Sequence, residues 1–65
     1  RLVARDEAGQ RVWWVLDYKL DHAPQQQPDY LAQMARYRQA VAQLQPGEAV
    51  RSALVSGAGE VIEVG

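Results

Sequence analysis

An aspartate and a lysine stand two residues apart at the end of a strongly apolar stretch. The stretch is RVWWVLDY, residues 11–18, and Lys19 follows it directly. Because side chains alternate along a β-strand, Asp17 and Lys19 point to the same side, about 6–7 Å apart at the backbone. A carboxylate in this place can bind Mg²⁺ or Mn²⁺, and an ammonium can stabilise charge on a phosphate. The pair fits metal-assisted cleavage of phosphodiesters, and it also fits a plain ion pair at a strand end.

A second pair of polar side chains lies further along the chain. Gln33 and Tyr37 are four residues apart, so they are neighbours on one face of a helix. Tyr37 also fits an apolar stripe whose members step by three and four residues, namely Tyr30, Met34, Tyr37, Val41 and Leu44. Tyr37 is therefore either a site residue or a core residue.

A sheet and a helix must hold these groups, and the sequence predicts both. We expect one domain over residues 1–65, with strands at about 1–6, 11–18, 49–56 and 60–64 and a helix at about 28–45. The order is β-β-α-β-β, and a strand, a helix and a strand in succession favour parallel pairing of the two strands. The predicted fold class is α/β, with one helix packed on a four-stranded mixed sheet.

Composition excludes several classes of protein. The chain has 65 residues, a net charge of −1, 48% hydrophobic residues and no cysteine. It can form one small domain, without disulfides or cysteine-bound zinc. No apolar stretch reaches the ~20 residues of a membrane span, so we expect no membrane partner. Arg36 and Arg38, on the predicted polar side of the helix, are candidates for contacts to DNA phosphates. Because the chain has so few basic residues, we expect strong DNA affinity to come from the rest of a longer protein.

The second strand is apolar on both faces. Val12, Trp13, Trp14, Val15 and Leu16 are consecutive, whereas a half-exposed strand alternates apolar and polar residues. Such a strand is normally central and covered on both sides, and the two tryptophans are predicted to be core rather than base-stacking residues. Since the chain has one helix, we expect a second layer from a partner or from the rest of a longer protein.

Two segments, WWVLDYK at residues 13–19 and QMARY at residues 33–37, carry a resemblance to a known family. Together they resemble the nuclease domain of the RecB and AddA family, within the PD-(D/E)XK superfamily, which follows a UvrD-type helicase of superfamily 1. In that family a hydrophobic strand ends in Asp-Tyr-Lys, and the next helix carries Gln-x-x-x-Tyr. The resemblance covers nearly the whole chain and implies a fragment of a restriction-endonuclease-like core.

The resemblance also implies a role for each matched residue. Asp17 and the main-chain carbonyl of Tyr18 would be ligands of Mg²⁺ or Mn²⁺, and Lys19 would be the catalytic lysine. Gln33 and Tyr37 would complete the catalytic group from the helix, where they would position metal ligands or DNA.

The function implied is part of a metal-dependent DNA exonuclease domain in a cytoplasmic, ATP-dependent helicase-nuclease acting in double-strand break repair and recombination. ATP would bind only the helicase part, because no GxxxxGK[ST] motif occurs here. The implied partners are DNA, the upstream helicase and remainder of the nuclease domain, and a second helicase-nuclease subunit. The alternative is a catalytically inactive module of the same fold that binds DNA or a partner subunit.

One part of the family pattern is missing. The family places a second metal-binding acid at the head of the preceding strand, and a histidine on a helix upstream of that acid. This chain starts at Arg1, Leu2 and Val3, which match the residues just after that acid. His22 cannot replace the histidine, because it follows the Asp-Tyr-Lys triplet. We therefore expect a C-terminal piece of the domain that is inactive alone.

Overall fold

The computed structural model describes all 65 residues of the chain. Its elements are β1 (Leu2–Glu7), β2 (Gln10–Tyr18), a short 3-10 helix (Pro24–Gln26), α1 (Pro28–Leu44), β3 (Ala49–Val55) and β4 (Val61–Val64). Each strand and the α-helix lies within one residue of the range expected from the sequence. The 3-10 helix is an addition, between the ranges expected for the second strand and the α-helix.

The four strands form one mixed sheet in the order β1-β2-β3-β4. β1 and β2 are antiparallel, β2 and β3 are parallel, and β3 and β4 are antiparallel. This confirms the predicted arrangement of one helix on a four-stranded mixed sheet, including the parallel pair joined through the helix. β2 is central, but β1 reaches only as far as Val15 and Leu16, so the end of β2 at Asp17 and Tyr18 is held by β3 alone.

The β1–β2 hairpin turns in two residues. Glu7 pairs with Gln10, which leaves only Ala8 and Gly9 in the turn. Both have positive φ, 52° and 78° respectively, as a two-residue type I′ hairpin turn requires. Glycine adopts this conformation without strain, whereas alanine does not. The two strands consequently extend to Glu7 and Gln10, one residue further toward each other than the expected ranges.

Helix α1 begins and ends at the residues that favour these positions. Pro28 lies in the first turn with Asp29, where a fixed φ and a negative charge stabilise a helix start. The Gln45 N–H donates to the carbonyl of Val41 as the helix ends before Pro46 and Gly47, the latter with φ 85°. No helix in the chain has the combined length and apolar character that crossing a bilayer requires.

The core lies between α1 and one face of the sheet. Its buried members are Val15, Met34, Leu54 and Val64, and Tyr30, Val41, Val50 and Ile62 pack around them. Met34 and Leu54 are fully buried. Residues of β2 and β3 reach this core at every second position, as the pleat of a strand requires.

Arg38 is a correction to the helix prediction. Its guanidinium donates to Ser52 Oγ at 2.5 Å and to the carbonyl of Val64 at 3.1 Å, so it faces the sheet. The reason is periodicity: Arg38 follows Met34 by four residues and therefore shares the buried side of the helix. Arg36 remains exposed, as expected.

The tryptophans also differ from the expectation, because both are only partly buried. The Trp13 indole N–H donates to Glu48, and the Trp14 N–H donates to Glu7 at 2.7 Å. Side chains alternate in β2, so Trp14 lies on the sheet face opposite Val15 and α1, where Arg51 stacks 4.8 Å from its ring centroid. Each indole N–H thus has a carboxylate partner.

Candidate active site

The end of β2 places Asp17 and Lys19 beside the helix. Asp17 is paired in register with the fully buried Leu54, so both lie on the face that α1 covers. The Lys19 N–H donates to the carbonyl of Val55 at 2.9 Å, which continues the parallel ladder one residue beyond the strand. The backbone that carries both charged groups is therefore held by its pairing with β3.

Asp17 and Lys19 form an ion pair. Lys19 Nζ lies 3.2 Å from Asp17 Oδ2, and the two side chains are 21% and 29% exposed. Partial burial strengthens the interaction relative to a surface pair, while solvent and small ions still reach both groups. The geometry brings the predicted residues together, and it accommodates both the ion-pair interpretation and the catalytic one.

Gln33 reaches the same ammonium from the helix. Gln33 Oε1 accepts a hydrogen bond from Lys19 Nζ at 3.4 Å. The expected link between the strand triplet and the helix pair is thus a direct contact, although a long one for a charged donor.

Tyr37 lies at the rim of a cleft instead of in the core. The ring is 43% exposed and borders a cleft of about 360 Å³, which is lined by Arg1, Leu2, Val15, Leu16, Asp17, Tyr37, Ala40 and Val41. Tyr37 and Asp17 therefore share one concave surface. The two helix residues therefore lie beside different members of the strand pair: Gln33 contacts Lys19, and Tyr37 borders the cleft beside Asp17. The alternative that Tyr37 is a core residue is wrong.

Tyr18 separates the two charged residues and takes the opposite face. Its side chain alternates away from Asp17 and Lys19, and the residue is 62% exposed. Only the main-chain carbonyl of Tyr18, not its phenol, therefore remains a candidate ligand.

Tyr30 and Asp21 join the site, although the sequence interpretation did not place them there. The Lys19 ammonium lies 4.4 Å from the centroid of the Tyr30 ring. Asp21 raises the pKa of Tyr30 above its ordinary value of about 10, first by a side-chain hydrogen bond and then by its negative charge. The available signal was spacing, because Tyr30 precedes Gln33 by three residues and shares its helix face.

The raised pKa of Tyr30 predicts a loss of stability at alkaline pH. The fold favours the neutral phenol, so this contribution is complete below the unfolded-state pKa of about 10 and disappears as pH rises through the higher folded-state pKa. We expect Asp21→Asn to bring the pKa of Tyr30 back toward its ordinary value. NMR titration of the Tyr30 ring protons in the native chain and in the variant measures this shift. An unchanged Tyr30 titration in Asp21→Asn would contradict the assignment.

Gly57 allows the segment after Lys19 to close against β3. The Gly57 N–H donates to the carbonyl of Asp21 at 3.3 Å, and a Cβ at position 57 would overlap the carbonyl oxygen of Leu20. The close approach of two backbones, and not a special φ, therefore requires glycine here.

Gly57→Ala is expected to destabilise the fold by about 1–3 kcal/mol, because the Leu20 backbone must move away from the new methyl group. Urea unfolding followed by circular dichroism measures the difference. Ala58→Ser is the matched control at the exposed neighbouring position, with an expected change within about 0.5 kcal/mol. Equal midpoints for the two variants would show that the Leu20 contact carries no constraint.

The chain supplies part of a metal-binding set. Asp17 is the one carboxylate of the strand triplet, and no group of three or more His, Asp or Glu side chains comes together in the chain. Hard divalent cations take oxygen ligands, and a carboxylate beside a free main-chain carbonyl is a common part of such sites. Asp17 and the Tyr18 carbonyl are therefore two oxygen donors of the kind that Mg²⁺ or Mn²⁺ takes, fewer than such an ion needs.

No protein-family model, curated protein or solved structure matches this chain. The nuclease interpretation therefore rests on the residues themselves and on the geometry that brings them together.

Proposed function

We propose that this chain forms part of a metal-dependent deoxyribonuclease domain. One observation carries the proposal: at the end of a central strand, Asp17 pairs with Lys19, which Gln33 also contacts from the helix, and Asp17 lines a cleft together with Tyr37. A plain ion pair at a strand end needs neither the amide of Gln33 nor a cleft beside the carboxylate. Their combination favours chemistry on a bound substrate.

In the proposed reaction Asp17 and the carbonyl of Tyr18 would hold a divalent cation. When bound, the cation would polarise the scissile phosphate and make water a better nucleophile. Lys19 stabilises the negative charge that develops on the phosphate, since its ammonium lies 3.2 Å from the carboxylate that would hold the metal. Gln33 orients that ammonium, and Tyr37 forms the wall of the cleft that the DNA strand would follow.

The wider function we propose follows from the family resemblance. The domain would act as a DNA exonuclease in a cytoplasmic helicase-nuclease of double-strand break repair and recombination. ATP would bind only to the helicase part. The partners would be DNA, the helicase and remaining nuclease residues of a longer protein, and a second helicase-nuclease subunit.

A second candidate function is an inactive module that binds DNA or a partner subunit. The favouring observation is that Lys19 already pairs with the lone carboxylate Asp17. In such a module the pair would stabilise the sheet edge, and neither residue would touch a metal ion. The presence of both partly buried charges favours the enzyme, because the attraction within a buried ion pair often fails to repay the cost of removing both charges from water.

The test is cleavage of linear double-stranded DNA. We expect the longer protein to cut in the presence of Mg²⁺ or Mn²⁺ and to stop when EDTA removes the metal. The 65-residue chain alone should give no turnover, because it supplies only one metal-binding carboxylate of the set. Metal-independent cleavage, or no cleavage by the longer protein, would contradict the proposed enzyme. Turnover by the 65-residue chain alone would contradict the expectation that it supplies too few metal ligands.

A further inference from the structure

Three groups surround the Lys19 ammonium, of which one is charged and two are neutral. Asp17 Oδ2 is 3.2 Å away and charged, Gln33 Oε1 is 3.4 Å away and neutral, and the centroid of the Tyr30 ring is 4.4 Å away and neutral. An aromatic face attracts a cation through its quadrupole and leaves the positive charge intact. Two of the three contacts therefore hold Lys19 without neutralising it.

We propose that Tyr30 is a positioning residue, which keeps the Lys19 ammonium in place when Asp17 is engaged with another cation. This inference rests on the proposed function, since only a metal ion on Asp17 makes the neutral anchors necessary. A carboxylate that binds a divalent cation attracts Lys19 less strongly, because the cation repels the ammonium. The Tyr30 ring and the Gln33 amide oxygen are unaffected by that change of charge.

Tyr30 is suited to this role because it is itself fixed. It lies in the first turn of α1 and packs against the core formed by Val15, Met34, Leu54 and Val64. Asp21 faces its hydroxyl from the loop that follows Lys19. A ring held on both sides offers Lys19 a preorganised surface, so little freedom is lost when the ammonium settles there.

The first experiment is spectroscopic and uses the 65-residue chain. We expect NOEs between the Lys19 ε-methylene and the Tyr30 ring protons, together with an upfield ring-current shift of that methylene. Both signals should persist in Asp17→Asn, which removes the charged anchor and retains the two neutral ones. Their loss in Asp17→Asn, or their absence from the native chain, would overturn the proposal. Neither result depends on nuclease activity.

The second experiment compares Tyr30→Phe with Tyr30→Leu in DNA cleavage by the longer protein. Phenylalanine keeps the ring and should retain both the upfield shift and kcat. Leucine lacks a ring and should lower kcat by about 10²-fold with KM unchanged, because the misplaced ammonium acts on the transition state and not on binding. Equal kcat values for the folded variants would overturn the positioning role.

The two experiments separate the failure of this inference from that of the proposed function. If the native protein cleaves no DNA, the proposed function fails, and the NOEs still report whether Tyr30 holds Lys19. If Tyr30→Leu does not fold, the signals of native chain and Asp17→Asn decide the question. Native cleavage combined with loss of the NOEs in Asp17→Asn would reject the inference alone.

Discussion

Replacing Asp17 by asparagine, or Lys19 by methionine, is expected to lower DNA cleavage by the longer protein by about 10²–10³-fold. Asparagine keeps the shape of the aspartate but removes the negative charge that would hold a divalent cation. Methionine keeps the length of the lysine stem but removes the ammonium that lies 3.2 Å from Asp17. Each variant therefore removes one charge from the same small surface.

The control for these variants is Asp6→Asn. Asp6 is an exposed acid that lies opposite Arg11 in the register of β1 and β2. Arg11 lies six residues before Asp17, about 20 Å along the strand. We expect full cleavage by this variant and unchanged ATPase activity in all three. Continued cleavage by both Asp17→Asn and Lys19→Met would refute the catalytic assignment. A joint loss of cleavage and ATPase activity would indicate misfolding instead.

Met34→Ala is expected to have the largest effect on stability. Met34 is fully buried between α1 and the sheet, where it contacts the core residues Val15, Leu54 and Val64. Truncation of a buried methionine costs about 2–5 kcal/mol through lost burial and the cavity that remains. A domain of this size rarely has a free energy of unfolding above about 3–5 kcal/mol, so most molecules of the variant should be unfolded at 25 °C.

The matched control is Leu44→Ala on the same helix. Leu44 is 76% exposed at the end of α1, so its truncation should change stability by only about 0.5 kcal/mol. Urea unfolding measured by far-UV circular dichroism compares the two variants with the native chain. Similar midpoints for Met34→Ala and Leu44→Ala would mean that the packing around Met34 is not the core of this fold.

The elements of the sheet were predictable because their signals are local. Consecutive apolar residues at 12–16 indicated a central strand, and β2 is indeed paired on both sides. The steps of three and four residues from Tyr30 to Leu44 indicated one apolar face of α1. Tyr30, Met34 and Val41 of that face lie in the core, whereas Tyr37 and Leu44 are exposed. Parallel pairing of β2 with β3 followed from the helix between them.

The contacts that were not predictable depend on where distant segments meet. Arg38 was expected in solvent, yet it donates to Ser52 and Val64, which follow it by 14 and 26 residues. Trp13 reaches Glu48 across 35 residues, and the pattern of β2 alone carries no information about that partner. Local periodicity fixes the face of an element, whereas the partner on that face depends on register and crossing geometry.

The candidate site shows the same division. Alternation along β2 placed Asp17 and Lys19 on one side, and helical spacing placed Gln33 beside Tyr37. The contact between Lys19 and Gln33 depends on how the helix crosses the sheet, which no local pattern specifies. Helical spacing assigned Tyr30 to the apolar stripe. It did not show that the ring also faces the ammonium of Lys19, because that contact too depends on how the helix crosses the sheet.

The most direct test of the proposed metal site at Asp17 and the Tyr18 carbonyl is paramagnetic broadening of the chain's amide signals by Mn²⁺. Weak binding, with a dissociation constant on the order of 10⁻³ M, is expected from one carboxylate and one carbonyl. In the native chain and in Asp6→Asn, the amides of residues 17–19 and of Gln33 should broaden first. Asp17→Asn should abolish that selectivity. Equal broadening of these amides in Asp17→Asn, or strongest broadening elsewhere in the native chain, would contradict a metal site at Asp17.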